Sequence, residues 1–207
     1  MYRFLRWLAS PFISLIYPTK VINKEKFFKE SAMVCCNHYA SADVLIVASK
    51  LFKKNLNCLA KAELFKGKFS SWFLTKMGAI KVNRGTPEVS VHKEILRRLK
   101  KGEQILIFPE GTRNKAGTHD MAEFKSGAGV YAIKAKVPIV PLMLHHQPKA
   151  FKRNYLIVGD PIDLSAFYGK NMHDVKEEVA TYLHDRMEAL HLELDEKVAA
   201  ITAKKKK

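Results

Sequence analysis

Short apolar runs that end at polar residues or glycine alternate along this chain with stretches of helical periodicity, and that alternation constrains the fold more than any other feature. "SAMVCCNH" reads as a buried strand, and Ser41 then stands at the N-cap position of a helix that continues through "ADVLIVASKLFKK". "NCLAKAELF" is strand-like, "KFSSWFLTKMG" a short helix with an apolar face, and "AIKVNRG" a strand ending at Gly85. "PEVSVHKEILRRLKKG" opens with Pro87 at a helix start, spaces Val91, Ile95 and Leu99 four apart, and stops at Gly102. "QILIFPEGTRN" runs from strand into a glycine-containing loop, "GAGVYAIKAK" is helical, and "VPIVPLMLHH" and "NYLIVGDPI" are strand-like. From residue 174, Val175, Val179, Leu183, Leu190, Leu194, Val198 and Ile201 mark a long amphipathic helix. The expected fold is one α/β domain with a mostly parallel or mixed central sheet flanked by helices. In such sheets the loops after the strands gather into one crevice.

The expected division is an N-terminal helical segment over 1–29, an α/β domain over 30–170, and a C-terminal helix with a basic tail over 171–207, packed on the same domain. The start, "MYRFLRWLASPFISLIYP", has basic residues at 3 and 6 and then an apolar run from Trp7 to Tyr17 that is interrupted by Pro11 and falls well short of the roughly 20 residues needed to span a bilayer. No small-residue cleavage site follows, as a signal peptide would need. The segment suits the interface plane, apolar side down and arginines toward phosphates. Packing of the same helix on the core is the alternative.

Charge points to an anionic partner. The formal net charge is +16, and residues 174–197 hold 8 acidic against 3 basic side chains, so the cationic excess belongs to the body of the chain. Three cysteines, Cys35, Cys36 and Cys58, form neither a disulfide framework nor a metal-ligand spacing, which favours a reducing compartment.

The residues with chemical promise sit at strand ends. His38 precedes Asp43 by five positions across a strand-to-helix junction, so the carboxylate can turn back to hold one ring nitrogen while the other takes a proton. Two members of a charge relay are present without an evident Ser or Cys nucleophile. A hydroxyl on the substrate would serve, deprotonated as it attacks a carbonyl. Ser41 as an acylated serine is the weaker reading, since its position accounts for it as a cap. In "FPEGTR" Gly111 lets backbone amides approach an anion, with Thr112 and Arg113 beside it. Arg84 after "AIKVN", Lys125 in "FKSG" and Lys61 in "LAKAELF" add cations at comparable positions, and together they suggest a phosphate site.

"NHYASAD", "GAIKVNRG", "FPEGTRN" with "FKSG", and "VPIVPL" resemble, in order and spacing, the four blocks of the glycerolipid acyltransferases. The resemblance spans roughly residues 30 to 160 and points in particular to the 1-acyl-sn-glycerol-3-phosphate (lysophosphatidic acid) acyltransferase family. It implies transfer of a fatty acyl group from acyl-CoA or acyl-ACP, as co-substrate, to the sn-2 hydroxyl of lysophosphatidate. No cofactor and no metal are implied. His38 would be the base and Asp43 its orienting partner. Glu110, Gly111, Thr112 and Arg113 would form the acceptor-phosphate loop, helped by Arg84, and residues 137–142 would be buried and shape the site. Members often carry Asp where this chain has Asn83, a change that leaves Arg84 more available to phosphate.

An anionic membrane lipid as acceptor also makes sense of the cationic body. The expected location is peripheral, on the cytoplasmic face of the cell membrane. A nucleic-acid-binding module would use the charge as well, but the aromatics cluster in apolar segments and no nucleic-acid motif is present. A serine hydrolase would need a G-x-S-x-G elbow, which the chain lacks, and His119, His145 and His146 make no ligand pattern with the cysteines. A sister enzyme that acylates glycerol-3-phosphate or another lysophospholipid is the nearest alternative.

Overall fold

The computed structural model describes residues 2–27, 30–51, 57–83, 89–114 and 121–204. Its elements are α1 (Tyr2–Ile16), β1 (Thr19–Ile22), β2 (Ala32–Cys36), α2 (Ala42–Lys50), β3 (Asn57–Lys61), α3 (Lys68–Lys76), β4 (Ile80–Val82), α4 (Val89–Lys100), β5 (Gln104–Ile107), α5 (Gly127–Ala135), β6 (Ile139–Leu144), β7 (Asn154–Val158) and α6 (Met172–Ala203). The strands make one seven-stranded sheet in the order β1-β7-β6-β2-β5-β3-β4. β2 pairs in parallel with both β5 and β6, and β3 in parallel with both β5 and β4. β7 runs antiparallel to β6 and parallel to β1, which makes the sheet mixed.

The central strands are apolar without interruption because both faces of the sheet are covered. Successive side chains of β2 point to opposite sides. Met33 and Cys35 join Ile95 and Leu99 of α4, Ala128 and Ala132 of α5, and Val179, Leu183 and Leu194 of α6. Ala32, Val34 and Cys36 join Ile46, Val47 and Ala48 of α2 and partly buried Leu74 of α3. One face therefore carries α4, α5 and α6, and the other carries α2 and α3, with α1 packed on α2.

Pro141 stands inside β6, where a lost ladder bond would be costly. Its carbonyl accepts from Gly159 N–H at 2.9 Å, so this residue's polar groups face the β7 side, where ladder pairing begins only at Leu142 with Val158. The missing N–H therefore removes no bond to β2.

Three expectations are corrected here. Residues 19–22 form β1 at the sheet edge, so the body of the domain begins well before residue 30. Pro11 does not break the N-terminal helix. Both Pro11 and Trp7, whose carbonyl a proline at 11 cannot bond, are exposed, so solvent can meet the lost hydrogen bond. The N-terminal arginines were expected to face phosphates, but Arg6 is turned inward, donating from Nε to Ala48 O at 3.2 Å and from Nη2 to Ser49 O at 3.0 Å. Those carbonyls are at the C-terminal end of α2, where a cation is favoured.

Candidate active site

In a parallel sheet the loops that follow the strands lie along one edge, and here β2, β5 and β3 deliver theirs together. Asn37 fixes the exit of β2: its side chain donates to Leu144 O at 2.9 Å and accepts from Leu144 N–H at 2.8 Å, which extends the sheet by one residue. The next residue, His38, is held by both of its main-chain groups. Its N–H donates to Glu110 Oε1 at 2.8 Å, and its carbonyl accepts from Asn114 N–H at 2.8 Å.

The His38 ring is fixed as firmly. Asp43, fully buried at the start of α2, places Oδ2 at 2.8 Å from His38 Nδ1. The same oxygen accepts from Tyr39 N–H at 2.7 Å and Ala40 N–H at 2.8 Å, so the carboxylate ties down the whole turn between strand and helix. A five-residue separation makes this geometry possible because the turn returns the chain over itself, with Asp43 N–H donating to Ala40 O at 3.1 Å. The imidazole stacks on Phe108, the residue after β5, with ring centroids 3.9 Å apart and planes 17° off parallel. A carboxylate on Nδ1 makes that nitrogen the donor and directs proton acceptance to Nε2.

The loop after β5 closes by a tight turn, Gly111 N–H donating to Phe108 O at 3.0 Å. Gly111 has φ +69°, a conformation that a side chain would strain, and a Cβ there would lie 2.8 Å from Lys125 Cε. Lys125 thus lies against the bare backbone of Gly111, and its own N–H donates to Pro109 O at 2.9 Å. Thr112 and Arg113 are exposed, and Arg113 reaches back with Nη2 to Ser41 Oγ at 2.9 Å.

Of the residues singled out in the sequence, His38, Asp43, Glu110, Gly111, Arg113 and Lys125 are linked by these contacts, with exposed Thr112 in the same loop. Lys61 is exposed at the end of β3, the neighbour of β5. Arg84, with Gly85, Pro87 and His119, lies outside the described residues. Residues 137–142 are buried in and before β6, apart from half-buried Pro138.

Two roles change. Ser41 makes no side-chain cap to α2 and instead accepts the Arg113 guanidinium. Glu110 is not turned toward an acceptor: it is buried, accepting from His38 N–H and, at 3.4 Å, from Ala122 N–H. Burial raises its carboxyl above the ordinary value, against the pull of those two N–H donors.

The thiols offer no nucleophile. Burial pushes Cys35 and Cys36 far up and Cys58 up to about 11, and all three are free. Tyr39 is pushed up to about 12 by burial and stays a phenol. Asn37, Phe108 and Asn114 are the supporting residues that sequence reasoning missed. Their only signal was adjacency to "H" and to "PEGTR".

The His38–Asp43 pair thus stands at the carboxyl edge of the parallel strands, beside a glycine loop that carries Arg113 and has Lys125 packed against it. Residues 18–145 match the family described as Acyltransferase, and the chain belongs to that family. It is accordingly an acyltransferase enzyme. A 1-acyl-sn-glycerol-3-phosphate acyltransferase of Bacillus subtilis (strain 168) is 30% identical over 203 residues, 95% of this chain and 100% of that protein. The protein of that name from Cocos nucifera is 28% identical over 83% of this chain, which spans only 56% of that longer relative. The crystal structure of the 1-acyl-sn-glycerophosphate (LPA) acyltransferase PlsC from Thermotoga maritima has the same fold, with a TM-score of 0.67 and 22% identity, over 91% of this chain and 78% of that one.

Proposed function

We propose that this enzyme transfers a fatty acyl group from an acyl thioester to the sn-2 hydroxyl of 1-acyl-sn-glycerol-3-phosphate, giving phosphatidic acid. The observation that carries the reading is the contact of Asp43 Oδ2 with His38 Nδ1, made on the edge that also presents Arg113 and Lys125. Nε2 of His38 takes the hydroxyl proton as the oxygen attacks the thioester carbonyl. The new C–O bond forms, the C–S bond breaks, and the thiolate leaves with the proton that His38 returns. Asp43 holds the ring through both steps and stabilises its transient positive charge. Arg113 and Lys125, joined by Lys61 and Arg84, bind the acceptor phosphate, which positions the hydroxyl against the base. Glu110 acts through His38 as a positioning residue.

The acceptor resides in a leaflet, and the exposed stripe of α1, Phe4, Trp7, Leu8, Phe12 and Leu15, suits peripheral attachment there. No described helix is long and apolar enough to cross a membrane. The cytoplasmic face follows from the donor, a thioester of coenzyme A or acyl carrier protein.

The test is turnover of purified enzyme with lysophosphatidate or glycerol-3-phosphate, each with acyl-CoA and acyl-ACP. Lysophosphatidate is expected to be the preferred acceptor, and a clear preference for glycerol-3-phosphate would reassign the enzyme to the sister activity. His38→Ala should cut turnover by about 10²–10⁴-fold while lipid binding persists. Near-normal rates in that variant would remove the base from the mechanism.

A further inference from the structure

α3 is the short helix with an apolar face that the sequence indicates, and none of its residues is buried. Phe69 is 75% and Trp72 49% exposed, one helical turn apart with ring centroids 6.0 Å from each other, and Leu64 in the 3-10 turn before them is 55% exposed. Only Leu74, with Phe65 before the helix and Met77 after it, packs on the core from the other side. Lys66, Lys68 and Lys76 around the aromatic pair are exposed, and residues 61–76 carry four lysines against the single acid Glu63. This is a helix with an aromatic face and a cationic rim that the domain does not use for its own packing.

We infer that the Leu64–Phe69–Trp72 face is a second membrane contact, separate from α1, which inserts into an anionic leaflet next to the crevice. Three features select a bilayer as the occupant. The aromatic pair ringed by lysines matches the layering of an anionic leaflet, with rings at the acyl boundary and ammonium groups at phosphate level. The face lies on the same side of the sheet as α1 and α2, so one leaflet can meet both helices. It also follows directly from the carboxyl end of β3, the edge on which His38 sits, so Leu64 and Phe69 are at the site's end of the helix. With α1 alone the enzyme could pivot on the surface, whereas a second contact beside the strand ends holds the crevice against the headgroups where a leaflet acceptor presents its hydroxyl.

The inference rests on the proposed use of a leaflet lipid as acceptor, and the protein's two tryptophans, Trp7 and Trp72, allow the two ideas to fail separately. In full-length Trp7→Phe, Trp72 is the sole tryptophan. Its emission should shift to the blue on addition of phosphatidylglycerol vesicles and be quenched by lipids brominated on the acyl chain. In Trp72→Phe, Trp7 reports α1 under the same conditions. A shift of Trp7 without one of Trp72 overturns the second contact and leaves membrane attachment standing. No shift of either overturns both. A Trp72 shift with acyl carrier protein but not with vesicles gives the face to a protein and also overturns the inference. As an independent arm, Phe69→Ser with Trp72→Ser should lower turnover of vesicle-embedded lysophosphatidate at least about tenfold, from the loss of two aromatic side chains that insert into the leaflet. Turnover of a short-chain, monomeric lysophosphatidate should be unchanged. Equal loss on both acceptors would mean damage to the site, and no loss on vesicles would mean no contact, and either result overturns the inference.

Discussion

Glu110 and Asp43 are two buried carboxylates about one histidine, and their surroundings assign them different work. Asp43 meets the ring and two loop amides through one oxygen, so it sets the ring's direction. Glu110 meets the backbone of His38 and sets its place. Burial is the larger influence on Glu110 and raises its carboxyl from the ordinary 4.5. The folded protein therefore binds a proton more readily there than the unfolded chain does, so this group's contribution to stability is greatest below 4.5 and declines as pH rises through the raised value. Glu110→Gln keeps an acceptor for the His38 amide and removes that titration. Denaturant unfolding across this pH range should show a flatter stability profile in the variant, with most of the turnover retained. Glu110→Ala should instead orphan the amide, at a cost of about 1–3 kcal/mol, and lower kcat. If Glu110→Gln shows the wild-type profile, the titrating group lies elsewhere. The spacing of His38 and Asp43 made their pairing legible in the sequence, because a five-residue turn has few ways to close. The aim of Glu110 was illegible, since a residue type within "PEGTR" does not reveal whether its side chain faces substrate or the neighbouring loop.

At the scale of elements, most of the fold was readable because strands buried on both faces are uninterrupted apolar runs and helices show a 3.6-residue period. β1 was missed for the converse reason: "TKVI" is four residues on the sheet edge with only Ile22 buried, too short and too polar to stand out from the helix before it. That the apolar face of α3 is exposed was not legible, because periodicity reports that a helix has an apolar side without saying what covers it. One contact that no pattern reveals is the approach of α5 to α6. A Cβ added at Gly129 would lie 2.3 Å from Val179 Cγ1, so the glycine is what lets the two helices close on each other. Gly129→Ala should therefore destabilise by about 1–3 kcal/mol despite alanine's better helix propensity. In a thermal melt that is a Tm several degrees lower. Adding Val179→Ala should recover part of the loss, as a non-additive pair, and simple addition of two destabilisations would refute the steric account.

For the whole molecule, the net charge of +16 understates the cationic excess of the body, because the acidic stretch is confined to α6. α6 packs on the sheet face opposite α1, α2 and α3, so its acids are kept away from the layer that carries the exposed aromatics. This arrangement predicts two separable components in vesicle association. Lysines near an anionic surface contribute roughly 1 kcal/mol each and are screened by salt. The apolar contribution of residues such as Phe4, Trp7 and Phe12 is not screened. Co-sedimentation with phosphatidylglycerol vesicles should weaken steeply as salt rises from low to high, then level off at the affinity measured for phosphatidylcholine vesicles. A curve that falls to no binding would assign the whole interaction to charge and leave the exposed aromatic stripe of α1 without a part in it. A flat curve would do the reverse and detach the cationic body from the membrane.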